Sequence, residues 1–150
     1  MLDTPLPNLD HRNAMGLLAR ARPDMLAGLC ATWAEPPFTW LRPPETGLVM
    51  LQGRIGGVGG PFNMGEMTVT RCVLRLATGL VGHATVQGRS KDHARRAALI
   101  DASWQTDPAG IEATFLSPLR DAEAARRCAR AEKAAATRVE FFTLVRGEDQ

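Results

Sequence analysis

A glycine-rich run at residues 53–72, GRIGGVGGPFNMGEMTVTRC, constrains the fold more than any other part of the chain. Five glycines fall between Gly56 and Gly65. A phosphate-binding P-loop needs GxxxxGK[ST] before a helix, because the backbone amides wrap the phosphate and the lysine neutralises it. The dinucleotide fingerprint also needs a helix directly after its glycines. Neither the lysine nor a helical pattern follows this run, so we interpret it as a connection between strands.

The flanking segments predict the two strands of a hairpin. Residues 48–55 (LVMLQGRI) and 67–76 (MTVTRCVLRL) are rich in β-branched or long apolar side chains over the length of a strand. A second, tight hairpin at Thr78-Gly79 would join residues 68–76 to 80–87. A two-residue turn there places Leu74 opposite His83 and Cys72 opposite Thr85.

The remaining segments predict mainly helices. Residues 10–21 and a segment starting at Pro23 indicate a helical hairpin over about residues 10–32. Proline pairs bracket a short strand at residues 38–41. Ser90 would cap a third helix that reaches Trp104, and residues 121–136 are alanine-rich and predict a fourth. Residues 137–145 favour a strand by β propensity, with a continued helix as the alternative.

Together these segments predict an α+β fold in a single domain over residues 1–150. We expect a largely antiparallel sheet of four to five strands, an N-terminal helical hairpin and two further helices. The sheet and the later helices would occupy about residues 38–146. A chain of 150 residues with 45% hydrophobic residues is long enough to bury a real core.

Composition argues against several function classes. A formal net charge of +2 and the absence of tyrosine disfavour nucleic-acid binding. Apolar runs fall far short of the roughly 20 residues that span a bilayer, and the N-terminus has no signal pattern, so we predict a cytoplasmic protein. The three cysteines lie far apart without a CxxC motif. That spacing disfavours a zinc ribbon, a self-contained iron-sulfur cluster and a disulfide framework.

Titratable residues give little support to catalysis. His83 and His93 each border apolar positions, on a predicted strand and a predicted helix. A metal site would need a third ligand, such as Asp92 or Asp101, and no HxH, HxxxH or HExxH spacing supplies one. We therefore expect a structural or interface role for the histidines, no catalytic residue and no metal site.

Basic and apolar clusters supply the candidate binding residues. Arg89, Lys91, Arg95 and Arg96 gather at a predicted helix start, where backbone N–H groups also favour an anion or an acidic partner. Arg54 and Arg71 flank the glycine run and would extend this cluster. The alternative is a solvated basic face in which Asp92 pairs with Arg96. The candidate interface residues in the tail are Phe141, Phe142, Leu144 and Val145, because free chain ends are usually polar.

Three stretches in order carry a family resemblance: ETGLVMLQGRIGGVGGPFNMGEMTVTRCVLRL, then GLVGHATVQGRSKDHARRAALIDA, then RVEFFTLVRGE. They cover residues 45–102 and 138–148, and they resemble the PhnG family of the carbon-phosphorus lyase system. The helical N-terminus and residues 103–137 match only loosely. Single motifs here are weak, whereas their order and spacing at this chain length are specific.

The resemblance implies a non-catalytic subunit of the machinery that degrades organophosphonates. In that family the protein joins PhnH, PhnI and PhnJ in a core complex with two copies of each, and PhnL is also needed. The complex uses MgATP and displaces adenine with a phosphonate, giving an α-D-ribose 1-phosphonate 5-triphosphate. The iron-sulfur cluster and S-adenosylmethionine belong to another subunit, PhnJ, and this chain alone is expected to bind no cofactor. The alternative is a stand-alone small transferase or anion-binding protein that uses the basic cluster near Arg89 and Arg96.

Overall fold

A computed structural model describes residues 7–138, in which helices pack on one face of an antiparallel sheet. The elements are α1 (Pro7–Arg20), α2 (Pro23–Cys30), β1 (Phe38–Arg54), β2 (Pro61–Leu76), β3 (Val81–Gln87), α3 (Lys91–Trp104), α4 (Pro108–Ile111) and α5 (Ser117–Ala136). The sheet order is β1-β2-β3. The predicted α+β class is therefore confirmed.

The hydrophobic core lies between α3 and the sheet. Its fully buried side chains include Leu74 on β2, Val86 on β3, Leu99 on α3 and Phe115 before α5. Ser90 caps α3 as expected, since its hydroxyl accepts a hydrogen bond from the backbone N–H of His93 at 3.2 Å. Helices α1 and α2 both pack against α3. The predicted packing of these two helices as a hairpin is not confirmed.

The sheet has three strands within residues 7–138, not four to five. Residues 38–41 do not form a separate short strand, because β1 continues through Pro43 and Pro44 to Arg54. Register shifts between Trp40 and Glu45 absorb the two prolines. An edge strand tolerates proline, since the missing N–H faces no neighbouring strand. The predicted strand at residues 137–145 lies almost wholly outside the described residues.

The hairpin between β2 and β3 has a different register from the one predicted. The Leu76 N–H donates to the Leu80 carbonyl at 2.9 Å, so the loop contains three residues rather than two. Gly79 closes this loop with a positive φ of 91°, as three-residue hairpin loops require. Leu74 consequently lies opposite Gly82, and Cys72 lies opposite Ala84.

Strands β1 and β2 extend far beyond β3. Because β3 pairs with β2 only from Val69 to Arg75, the hairpin has no third strand from Leu48 to Thr68. Together with two residues of β1 at its base, this segment, residues 46–68, is called the ribbon. At about 3.3 Å per residue, the ribbon reaches roughly 25 Å past the end of β3. A short 3₁₀ turn, Ile55–Gly57, reverses the chain, with Gly56 at a positive φ of 59°. The glycine run is therefore a hairpin connection, as predicted.

Candidate functional site

The structure brings four of the predicted basic residues together at the start of α3. Arg89 and Lys91 are exposed there, and Arg95 and Arg96 are half-buried. Arg95 already pairs with Glu35 at 2.5 Å, and this hydrogen bond raises the pKa of its guanidinium. Arg89 and Lys91 are therefore the members of this cluster best placed to meet an external anion.

The other two predicted basic residues lie apart from this cluster. Arg54 is at the far end of the ribbon, where its guanidinium donates to the Gly59 carbonyl at 3.2 Å. Arg71 donates to Glu45 at 3.1 Å across β1 and β2. Glu45 also accepts from Arg42, and these bonds, the one to Arg42 foremost, lower the pKa of the Glu45 carboxyl. Both arginines thus form hydrogen bonds within the β1 and β2 hairpin.

A buried carboxylate joins three elements of the fold. Sequence reasoning considered Asp101 only as a metal ligand beside His83 and His93 and did not predict these contacts. Asp101 on α3 is 2% exposed and accepts a hydrogen bond from the backbone N–H of His83 at 2.9 Å. Its second oxygen lies 2.5 Å from Nε2 of His11 on α1. The His11 ring stacks on Trp104, with ring centroids 5.2 Å apart.

The geometry of this cluster indicates a structural role. The His83 ring is half-exposed, and its Nδ1 lies 3.3 Å from Asp101. The hydrogen bond from the His83 backbone N–H to Asp101 is shorter, at 2.9 Å. The adjoining cavity has a volume of about 180 Å³ and is lined mainly by apolar residues. Within residues 7–138, no group of three or more His, Cys, Asp or Glu side chains is arranged to hold a metal ion. The cluster fastens α1 and β3 to α3.

His93 also has a structural contact. Its ring is buried, and Nε2 lies 2.8 Å from the Leu18 carbonyl on α1. The apolar positions that His93 borders on α3 include Ala97 and Ile100, which are buried, and Trp104, which is half-buried. The two histidines singled out from sequence thus both contribute to packing around α3.

Among residues 7–138, exposed large apolar side chains are concentrated in the ribbon. Arg54 and Glu66 are its only charged residues. Seven large apolar side chains within it are at least 40% exposed: Leu48, Met50, Leu51, Ile55, Val58, Phe62 and Met64. A concentration of exposed apolar side chains of this kind marks an interaction site.

Apolar side chains occupy both faces of the ribbon. Leu48 and Met50 follow the alternation of β1 on the face that carries Thr70, since Thr46 and Thr70 contact each other at 3.3 Å. Phe62 and Met64 lie over Gly53 on the opposite face, where a Cβ would meet the Met64 side chain. Within the ribbon, sequence reasoning singled out only Arg54, as an anion or partner contact, and predicted no apolar interface. The available signal was the near absence of charge over residues 46–68.

Two further predictions concern the tail and membrane association. The candidate interface residues Phe141, Phe142, Leu144 and Val145 lie outside the described residues. Along residues 7–138, none of the helices has the length and apolar character needed to cross a bilayer.

Comparison with known proteins points to one family. The family model described as "Phosphonate metabolism protein PhnG" matches residues 10–147. A curated relative from Rhizobium meliloti (strain 1021) is 48% identical over 147 residues, which cover 93% of this chain and 90% of the relative. That relative is named alpha-D-ribose 1-methylphosphonate 5-triphosphate synthase subunit PhnG.

Proposed function

Because this chain belongs to the PhnG family of phosphonate metabolism proteins, we propose that it is an accessory subunit of an α-D-ribose 1-methylphosphonate 5-triphosphate synthase. The observation that carries the proposal is the 48% identity, over nearly the full length of both chains, to a protein named as that subunit. The exposed apolar ribbon supports a subunit role, because such a surface is suited to contact another chain.

The finer parts of the proposal follow from the family resemblance. The synthase would act in the cytoplasm and displace adenine from MgATP with a phosphonate. Its other subunits would be PhnH, PhnI and PhnJ, with two copies of each chain in the core complex, and PhnL would assist. The iron-sulfur cluster and S-adenosylmethionine would belong to PhnJ. In this arrangement the present chain contributes surfaces for assembly rather than a catalytic group.

The basic cluster would contribute a contact to an anion within this complex. Arg89 and Lys91 are exposed at the start of α3, where the helix dipole adds to their positive charge. The anion is either the triphosphate of the nucleotide or an acidic partner surface. In the assembled synthase, Arg89→Ala with Lys91→Ala should lower activity about tenfold. A raised KM for ATP with an intact complex indicates the nucleotide, whereas loss of the complex indicates a partner surface.

The matched control for the basic cluster is Arg130→Ala with Lys133→Ala on the exposed end of α5. These changes also remove two positive charges, but away from the start of α3. We expect them to leave activity and assembly unchanged. Equal values for both double variants and the wild-type complex would refute the anion contact.

Reconstitution tests the subunit role directly. Adenine release would be followed with MgATP and methylphosphonate for three samples: the purified chain, the other synthase subunits without it, and the complete set. We expect activity only from the complete set. Clear turnover by the isolated chain, or full activity of the other subunits without it, would contradict the proposal.

A further inference from the structure

The ribbon of residues 46–68 has the properties of an insertion arm. We infer that it enters an apolar cleft in a different subunit of the synthase, which covers both of its faces. This inference rests on the proposed function, since it requires the chain to have partner subunits. It goes further by assigning one defined segment of the chain to the interface and by stating the chemistry of the surface that receives it.

The exposed apolar area of the ribbon is large enough for a specific interface. Exposures of the seven large side chains range from 40% for Leu51 to 92% for Val58. With about 200 Å² for a fully exposed large side chain, they present roughly 800 Å², which is what one partner contributes to a standard interface. Monomeric proteins seldom leave such an area in contact with water.

The distribution of this area over two faces indicates the shape of the partner. Leu48 is 61% exposed and Met50 is 55% exposed on one face, while Met64 is 65% exposed on the other. A flat partner surface would cover one face and leave the other in water. A cleft covers both faces, and it also surrounds Val58 at the tip.

A second copy of this chain is a poor fit for that cleft. Two ribbons stacked face to face would each leave one apolar face exposed. The larger cavities on the described part of the chain, of about 420 and 350 Å³, are lined by charged side chains that include Arg20 and Glu123. Arg20 and Glu123 already pair with each other at 3.0 Å, so burying apolar ribbon side chains there would desolvate this ion pair without giving either charge a new partner. The occupant is therefore a different subunit.

The near absence of charge in the ribbon defines the chemistry of the partner surface. Only Arg54 and Glu66 carry charge, and the Arg54 guanidinium already donates to the Gly59 carbonyl. Binding would therefore depend on apolar burial rather than on ion pairs, and it should change little between low and high salt. An acidic or basic partner groove would find almost no complementary charge on this arm.

The test places one glutamate on each face of the ribbon. The full-length Leu48→Glu, Met64→Glu variant and the wild-type chain would each be co-produced with the other synthase subunits and captured by a tag on this chain. A charge in the cleft is buried without a partner, so we expect recovery of the other subunits to fall at least tenfold. The matched control is Leu41→Glu, at an apolar side chain 47% exposed on β1 outside the ribbon, which should assemble like the wild type.

The outcomes separate failure of the inference from failure of the proposed function. If the wild-type chain captures no other subunit, the proposed function is wrong. If the wild type and the ribbon variant assemble equally well, the proposed function stands and the inference is wrong. A folded variant alone, with an unchanged thermal midpoint, shows that lost assembly reflects the interface. If the free wild-type chain is a dimer and the variant is a monomer, the occupant is a second copy, which would overturn the inference.

Discussion

The two halves of the β1 and β2 hairpin differ in how their faces are covered and in how their edges are charged. In the packed half, residues 38–45 and 69–76, one face is covered by helices and the strand edge carries Pro43, Pro44 and charged side chains. In the ribbon, residues 46–68, apolar side chains point into water on both faces, and the edges carry almost no charge. The same pair of strands is thus packed against helices at one end and exposed to solvent on both faces at the other.

This difference concerns protection of a sheet edge. Natural sheets discourage pairing with other chains through prolines, bulges and charges on their edge strands. The packed half of β1 has all three, since register shifts accompany the proline pair and Glu45 lies between Arg42 and Arg71. The ribbon also has a register shift, but it carries only two charged residues. An edge with so little charge, together with two apolar faces, is what we expect of a segment that another chain covers.

Matched leucine substitutions should give the largest contrast between the halves. Leu74→Ala removes a side chain with 0% exposure from the packed half, whereas Leu48→Ala truncates one with 61% exposure in the ribbon. The first should lower the free energy of unfolding by about 2–5 kcal/mol and the second by less than about 0.5 kcal/mol. Urea unfolding of the isolated chain measures both. Similar losses at the two positions would mean that the ribbon is packed in the free protein.

The rate of thiol alkylation should differ about a hundredfold between the two halves. Burial raises the pKa of Cys72, in the packed half, to about 11 from its ordinary value of 9.0. A two-unit rise lowers the thiolate fraction near neutral pH about a hundredfold. The variant Met50→Cys places a thiol at an exposed ribbon position. Alkylation followed by mass spectrometry should modify residue 50 at least about a hundredfold faster than Cys72, and equal rates would contradict the contrast.

The same pKa shift sets a pH dependence of stability. The folded-state pKa of Cys72 is raised, so the neutral thiol stabilises the fold fully below about pH 9. That contribution is lost as the pH rises from about 9 toward 11. Thermal midpoints of wild type and Cys72→Ala should therefore converge over this range, whereas a constant difference would contradict the assignment.

Loss of the buried carboxylate of Asp101 should lower the free energy of unfolding by an intermediate amount. Asp101→Asn keeps the shape of the side chain but weakens the hydrogen bonds that join α1 and β3 to α3. We expect a loss of about 1–3 kcal/mol in the free energy of unfolding. Asp121→Asn, at an exposed position on α5, is the matched control and should change it by less than about 0.5 kcal/mol. An undisturbed Asp101→Asn variant would mean that the cluster does not fasten these elements.

The smallest effect is expected at the protected edge. Arg42 and, less strongly, Arg71 lower the pKa of Glu45, so its charged form stabilises the fold above the ordinary pKa of 4.5. That contribution is lost as the pH falls below this value. Glu45→Gln should thus reduce the thermal midpoint slightly at pH 7, and not at all in strong acid. A difference that persists unchanged in strong acid would contradict the pairing.

Local patterns predicted helices α1, α2, α3 and α5 and the β2 and β3 strands, but they did not predict contacts between residues far apart in the chain. The apolar period and Ser90 placed α3 correctly, because both signals lie within the helix itself. The number of residues in the Thr78-Gly79 loop was misjudged by one, which shifted every pair in the β2 and β3 register. The contact between His11 and Asp101 joins residues 90 positions apart, so no local motif indicates it.

The ribbon shows a different limit of sequence reasoning. A nearly continuous apolar run, such as residues 48–51, is typical of a strand buried on both faces. In the isolated chain this segment is exposed. The apolar run therefore correctly indicates a strand that is covered on both faces, but in our account the covering surface belongs to another molecule. No pattern in one chain distinguishes these two cases.

Hydrogen exchange in the free chain and in the assembled complex tests the central claim most directly. In the free chain, amides of residues 48–54 and 62–68 should exchange much faster than those of residues 70–76 and 82–86, because a two-stranded ribbon is marginally stable in water. In the complex, the ribbon amides should become as slow as those of the packed half. Ribbon amides that exchange equally fast in both samples would contradict the claim that a partner covers this arm.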